Sequence, residues 1–355
     1  MAASISSTVI QSSPDKMSFG GEIQLKTVEM HTCGEPLRIV ISGYPKFEGE
    51  TILDKRRFAR EKLDNLRKML MFEPRGHYDM YGAILVEPDL AGADIATLFT
   101  HNEGYSTMCG HGVIALGRFA VDNGYVKPQI PETVVAVQCP CGLVNAFVEY
   151  DGKKTGRVRF HSVPAFAFAL GANVNVPGHG DIKVDIGYGG AFYAFITAQE
   201  FGLDVRTSRV REIVDLATSV KNAVKAQVPL SHPISDDLAF LYGVIVTDGD
   251  DEWSDKPTAN ICVFANAEVD RSPCGSGTTA RVAVQYAKNQ LALGQTRGFE
   301  SGVNGTMFTG KPIQTTKCGS LDAVIVEVSG KANYIGEATY TLEEDDLVGK
   351  GFLLR

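Results

Sequence analysis

The chain has 355 residues, 44% of them hydrophobic and 21% charged, with 37 glycines; this excludes disorder, collagen and coiled coil, and fits about two globular domains rich in tight turns. With 34 Lys and Arg against 42 Asp and Glu, the formal net charge is −8, opposite in sign to what a phosphate backbone attracts, so nucleic acid is not an expected partner. No apolar run approaches the roughly 20 residues of a membrane span, the longest being strand-sized between Leu238 and Val246, so no membrane is expected either.

Residues 1–21 are rich in Ser, without the apolar core of a secretory signal or the Arg of a mitochondrial presequence, and read as a flexible tail. Seven cysteines, an odd number with no export signal, read as reduced thiols in a cytoplasmic protein. From residue 22 the pattern turns strand-like, with Ile23, Leu25 and Val28 before a Gly turn and an apolar run at 37–42 after it. Phe58, Leu63, Leu66 and Leu70 recur at near-helical spacing among Arg and Lys, predicting one amphipathic helix over 54–71, with Pro74 just beyond it. Further strands are expected at 83–86, 96–99, 134–137, 143–148, 158–160, 184–186, 240–246 and 260–264, with helices at 110–123, 210–224 and 278–291. Strands outnumber helices.

One feature repeats. Cys109-Gly110-His111-Gly112 runs directly into an apolar-periodic helix, and so does Cys274-Gly275-Ser276-Gly277, nearly half the chain later. Two similar α/β halves are therefore expected, 22–163 and 164–337, with the C-terminal strands at about 338–355 returning to the first.

At a helix N-terminus the free N–H groups and the dipole favour negative charge, which predicts a lowered thiol pKa at each cysteine and a cradle for a carboxylate. Facing one another, Cys109 and Cys274 would stand on opposite faces of a small α-amino acid, one thiolate removing the Cα proton while the opposing thiol returns a proton to the other face. His111 is a candidate hydrogen-bonding wall, and Asp270 a candidate partner for a substrate ammonium or, alternatively, a surface carboxylate paired with Arg271. A cysteine hydrolase with Cys109 as nucleophile would explain one loop and leave the other idle; a non-catalytic binding protein would use the cradles without the thiols. Cys139-Pro140-Cys141 lacks a second pair at zinc spacing, Cys33, Cys262 and Cys318 read as structural, His31 and His77 lie near turns, and Gly187-Tyr188-Gly189-Gly190 reads as a turn before a strand.

At these residues the chain resembles the proline racemase family, through Met108-Cys109-Gly110-His111-Gly112 and Asp270-Arg271-Ser272-Pro273-Cys274-Gly275-Ser276-Gly277, with further matches at Met30-His31-Thr32, Glu73-Pro74-Arg75-Gly76-His77 and Gly189-Gly190-Ala191-Phe192. The resemblance implies a diaminopimelate-epimerase-like α/β fold of two pseudo-symmetric halves, each a curved sheet around a central helix, acting without cofactor on proline or hydroxyproline, commonly as a homodimer. By motif position it implies that Cys109 and Cys274 are the acid/base thiols, that Gly110, His111, Gly275 and Ser276 hold the substrate carboxylate, and that Asp270 holds the ring nitrogen. Within the family, 102–106, 116–120 and 160–166 are most similar to the animal trans-3-hydroxy-L-proline dehydratases, which carry Thr where this chain has Cys274. The residue at 274 therefore favours a racemase or epimerase, and the general likeness favours the dehydratase as the alternative.

Overall fold

The computed structural model describes residues 23–354 of the chain; the tail expected at 1–21 lies outside them. The first half opens with a hairpin, β1 (Ile23–Thr32) and β2 (Glu35–Ser42), followed by helices α1 (Ile52–Lys62) and α2 (Asp64–Met71). β3 (Gly82–Val86) runs parallel to β2, β4 (Ile95–Thr100) antiparallel to β3, and the short β5 (Tyr105–Ser106) folds back on β4. Helix α3 (Gly110–Asp122) then leads to β6 (Glu132–Cys139), parallel to β4, and to the antiparallel β7 (Gly142–Tyr150) and β8 (Thr155–His161).

The second half repeats this order. β9 (Phe166–Val176) and β10 (Gly180–Tyr188) precede β11 (Phe192–Thr197), helix α4 (Val210–Gln227) and β12 (Leu241–Thr247), which is parallel to β11. β13 (Thr258–Phe264) is antiparallel to β12 and carries the short β14 (Glu268–Asp270). Helix α5 (Gly275–Ala287) leads to β15 (Arg297–Ser301), parallel to β13, then β16 (Met307–Cys318), β17 (Leu321–Gly330) and β18 (Ala332–Leu342).

The eighteen strands of the described residues form one sheet. The halves join where β8 pairs antiparallel with β17, and the chain then crosses over twice: β9 leaves β8 to pair with β10, while β18 leaves β17 to pair with β1 along its whole length. Read outward from the β8–β17 seam, both halves give the same succession of parallel and antiparallel neighbours. This is an internal two-fold pseudo-symmetry, and the fold is the mixed α/β arrangement that the sequence suggests.

The sheet curls around two helices. α3 packs on strands of the first half and on β17 and β18, α5 on β9, β10, β11, β16 and β17. α3 is apolar nearly all round, which suits a helix enclosed on every side. Gly117 has a packing reason, since a Cβ there would stand 3.0 Å from the Ala146 methyl on β7. α4 instead shows one apolar stripe, Ile213, Leu216, Ala217 and Val220, laid on β12 and β13.

Two expectations change. The single helix over 54–71 is two, broken at Leu63, whose backbone leaves the helical region (φ −121°, ψ 12°). Each piece is anchored separately, because Arg56 donates to the Tyr105 carbonyl while Arg67 donates to the carbonyls of His101 and Asn102. The helix expected at 278–291 starts earlier, at Gly275, because Gly275-Ser276-Gly277 is itself its first turn.

Candidate active site

The two Cys-Gly-x-Gly loops meet. A Cβ placed on Gly110 would lie 2.5 Å from the Gly275 Cα, and one on Gly275 would lie 2.5 Å from the Gly110 Cα, so the N-termini of α3 and α5 touch through paired glycines. The second glycine of each loop has a different duty. A Cβ on Gly112 would stand 3.0 Å from the Cys109 sulfur, and one on Gly277 would stand 2.8 Å from the Cys274 sulfur. Both thiols therefore overhang the helix ends only because these positions lack a side chain. Gly110→Ala is expected to push the loops apart, lowering stability by about 1–3 kcal/mol and turnover at least about 100-fold through misplacement of the opposing groups. Thermal unfolding beside turnover checks this, and a variant unchanged in both contradicts it.

Cys109 caps α3 from an extended backbone, its sulfur accepting from the Gly112 N–H at 3.2 Å. His111 folds back over it with Nδ1 3.1 Å from the sulfur and Nε2 3.2 Å from the Pro36 carbonyl. The carbonyl requires a proton on Nε2, which leaves the Nδ1 lone pair to accept from the thiol. Burial pushes His111 down to about 3, so the ring stays neutral and is a poor acceptor of a full proton. That weakens the Cys–His hydrolase reading.

The lowered pKa expected of Cys109 is not what the structure gives. Burial raises this thiol well above the ordinary range; the Gly112 N–H and the Tyr81 hydroxyl oppose the rise, while the nearby Asp270 and Cys274 add to it. One backbone donor and a helix end do not offset full loss of water. Cys109 is therefore a thiol in the empty site, and a positive charge brought in by a ligand favours its thiolate.

Cys274 holds a left-handed backbone (φ +70°, ψ 109°) and points its sulfur at the Tyr193 hydroxyl, 3.6 Å away. That hydroxyl is 2.8 Å from Ser276 Oγ. Asp270, from β14, turns one carboxylate oxygen to the N–H and hydroxyl of Ser272, at 2.8 and 2.7 Å. It is buried, so the surface-pair alternative does not hold. Burial pushes it up to about 6 against the Ser272 hydrogen bonds and the Arg271 charge.

Two pH effects follow from Asp270. Below about pH 6 it takes up a proton and loses its attraction for a cationic nitrogen, so kcat/KM is expected to fall about tenfold per pH unit there, a limb that Asp270→Asn should flatten. The folded value lies above the ordinary 3.8, so this group's contribution to stability is complete below that value and is lost as the pH rises through about 6. A pH–rate profile with an unchanged acid limb in Asp270→Asn would contradict the assignment.

Gly110, His111, Cys109, Asp270, Cys274, Gly275 and Ser276 thus converge, and the side chains among them are at most 4% exposed. A cavity of about 580 Å³ lies elsewhere, between β9, α5 and the β16–β17 hairpin, and none of these residues lines it.

Several site residues carry no local sequence signal. Tyr81, Tyr242 and Phe264 form an aromatic wall beside His111, with the Tyr81 ring edge-on to the imidazole at 4.9 Å. Glu35 is fully buried behind Asp270, one oxygen accepting from the Arg271 N–H at 2.7 Å and the other without a partner. Cys262 pairs with Asp270 across the β13–β14 ladder and lies against Cys274. Tyr193 alone had a neighbouring clue, following the Gly189–Phe192 match directly. Cys141 packs by the Gly190 turn, and Asn304 spends its side-chain N–H groups on the Cys33 and Arg271 carbonyls. His31 accepts from the Gly34 N–H, and His77 is exposed outside the loop pair.

Two thiols over paired helix N-termini, beside a buried carboxylate, make an arrangement that can move protons at the α-carbon of a small amino acid. The proline racemase family model matches residues 27–353. The chain is 63% identical over 326 residues (92% of this chain, all of the relative) to a trans-L-3-hydroxyproline dehydratase of Saccoglossus kowalevskii. It is 57% identical to the human trans-3-hydroxy-L-proline dehydratase, covering 93% of this chain and 95% of that one. A 3-hydroxyproline 2-epimerase of Burkholderia multivorans is 46% identical, over 93% of this chain and 98% of its own. Among solved structures, a hydroxyproline epimerase from Agrobacterium vitis with bound trans-4-hydroxy-L-proline superposes with a TM-score of 0.88 at 26% identity, over 94% of this chain and 96% of that one. The chain belongs to the proline racemase family, whose named relatives include both isomerases and lyases.

Proposed function

We propose that this protein is a trans-3-hydroxy-L-proline dehydratase. The observation that carries the reading is near-full-length identity of 57–63% to relatives named for that activity, against 46% to the relative named an epimerase. The weight thus moves from inversion, which the two thiols favour on residue chemistry alone, to elimination.

The residues supply a direct route. The N–H groups of Gly110, His111, Gly275 and Ser276 receive the substrate carboxylate, and Asp270 holds the ring ammonium. That cation, beside Cys109, offsets the burial that keeps the thiol protonated, and the resulting thiolate removes the Cα proton. The helix ends stabilise the charge that develops on the carboxylate. The C–H electron pair becomes the C2=C3 bond as the C3–O bond breaks, giving pyrroline-2-carboxylate and water. Only one thiol is needed, and no cofactor enters.

Inversion is the second reading, and Cys274 is the observation that favours it: a thiol on the far face can deliver a proton there. The same proposal includes a homodimer in the cytoplasm; seven free thiols fit a reducing compartment. To test the activity, the purified chain is incubated separately with L-proline, trans-4-hydroxy-L-proline and trans-3-hydroxy-L-proline, and the products are separated chromatographically. Pyrroline-2-carboxylate from the 3-hydroxy substrate at the highest rate supports the reading. Faster formation of the opposite stereoisomer from any of the three would make the protein an epimerase or racemase.

A further inference from the structure

Dehydration leaves one proton unaccounted for, because the C3 hydroxyl departs as water only if an acid meets it. In trans-3-hydroxy-L-proline the hydroxyl is trans to the carboxylate, and therefore on the same ring face as the Cα hydrogen. The base that removes that hydrogen and the acid that meets the hydroxyl must then stand side by side. Cys274, assigned to the opposite face, cannot serve.

We infer that the hydroxyl of Tyr81 is the proton donor to the departing C3 hydroxyl; this rests on the dehydratase reading above. Tyr81 is 2% exposed, and its ring is fixed between His111 and Phe264. Its hydroxyl donates to Ser106 Oγ at 3.0 Å, and Ser106 Oγ donates in turn to the Met108 carbonyl at 2.9 Å, the residue next to Cys109. Each hydroxyl has one proton, so in the 3.3 Å contact with Tyr242 the donor is Tyr242. This chain of hydroxyls holds the Tyr81 oxygen on the Cys109 side of the site, with a donor behind it to stabilise a phenolate. The Tyr81 hydroxyl also opposes the rise in the Cys109 thiol's pKa, which sets it beside the base. Burial keeps the phenol protonated throughout the working pH range.

The protons balance. Cys109 thiolate takes the Cα proton, the C–H pair forms the C2=C3 bond, and the C3–O pair leaves on oxygen, which takes the Tyr81 proton and departs as water. Tyr81 is left as a phenolate, hydrogen-bonded by Tyr242. The new Cys109 S–H then returns its proton to Tyr81, which restores the thiolate of the bound state; the thiol proton that Cys109 gives to solvent when the cationic substrate binds is taken up again when the product leaves.

The test compares wild type and Tyr81→Phe, as the full chain, on trans-3-hydroxy-L-proline and on trans-3-fluoro-L-proline, whose fluoride leaves without taking a proton. The expected result is water loss slowed about 100-fold and fluoride release slowed at most about tenfold, the smaller loss coming from the weaker support of the Cys109 thiolate. Equal loss with both substrates makes Tyr81 only a packing wall and overturns the inference; no loss with either overturns it too. If Tyr81→Phe does not fold, Tyr242→Phe reads the same selectivity through the donor behind the phenolate, with water loss slowed about tenfold and fluoride release unchanged, and equal effects on both overturn it. A wild type that releases neither water nor fluoride refutes the dehydratase reading before any substitution is made, and the Tyr81 assignment with it.

Discussion

Cys109→Ser is expected to reduce dehydration and every other reaction at Cα at least about 1,000-fold, within the range a positioned general base contributes. A serine hydroxyl fits the space and accepts the Gly112 N–H as the sulfur does, so folding and substrate binding should survive. What is lost is the ionisable group. Ligand titration followed calorimetrically beside turnover separates the two, and a variant that binds and still turns over at the wild-type rate removes Cys109 from the chemistry.

Cys274→Thr should divide the two readings of the family. Inversion of proline or 4-hydroxyproline, to whatever extent wild type performs it, should vanish, because the far face loses its proton donor. Water loss from the 3-hydroxy substrate should continue within about tenfold of wild type, since elimination on the Cys109 face does not use this thiol. The substitution also puts a β-branched residue at φ +70°, which should cost roughly 1–3 kcal/mol of stability. Chiral analysis of the recovered amino acid and thermal unfolding read these effects. Undiminished inversion would mean that the second proton comes from somewhere other than Cys274.

The catalytic loops were legible because they are short, contiguous and duplicated. Cys, Gly, one variable residue and Gly at a helix start form a local pattern, and the structure gives each glycine a reason: Gly110 against Gly275, Gly112 and Gly277 under the sulfurs. The aromatic wall was not legible. Tyr81 precedes β3, Tyr242 lies in β12 and Phe264 ends β13, so they share a site only after the sheet has curled. No local spacing announces that. The same holds for Glu35, an ordinary acidic residue by sequence, which becomes fully buried when the β1–β2 turn packs beside Arg271.

Other differences have equally local causes. β9 reads as Ala, Gly and Asn among a few apolar residues, a poor strand former by propensity, and pairing with β10 makes it a strand. The direction of the Cys109 shift was misread because sequence shows the helix end and hides the burial. In each case the missing information is tertiary.

The most direct measurement is a proton NMR time course of the wild-type protein with trans-3-hydroxy-L-proline in D2O. The expected result is loss of the C3 carbinol signal and growth of pyrroline-2-carboxylate, with no accumulation of the C2 epimer of the substrate. Accumulation of that epimer with its C3 hydroxyl intact and deuterium at Cα would contradict dehydration as the reaction and return the two thiols to an epimerase.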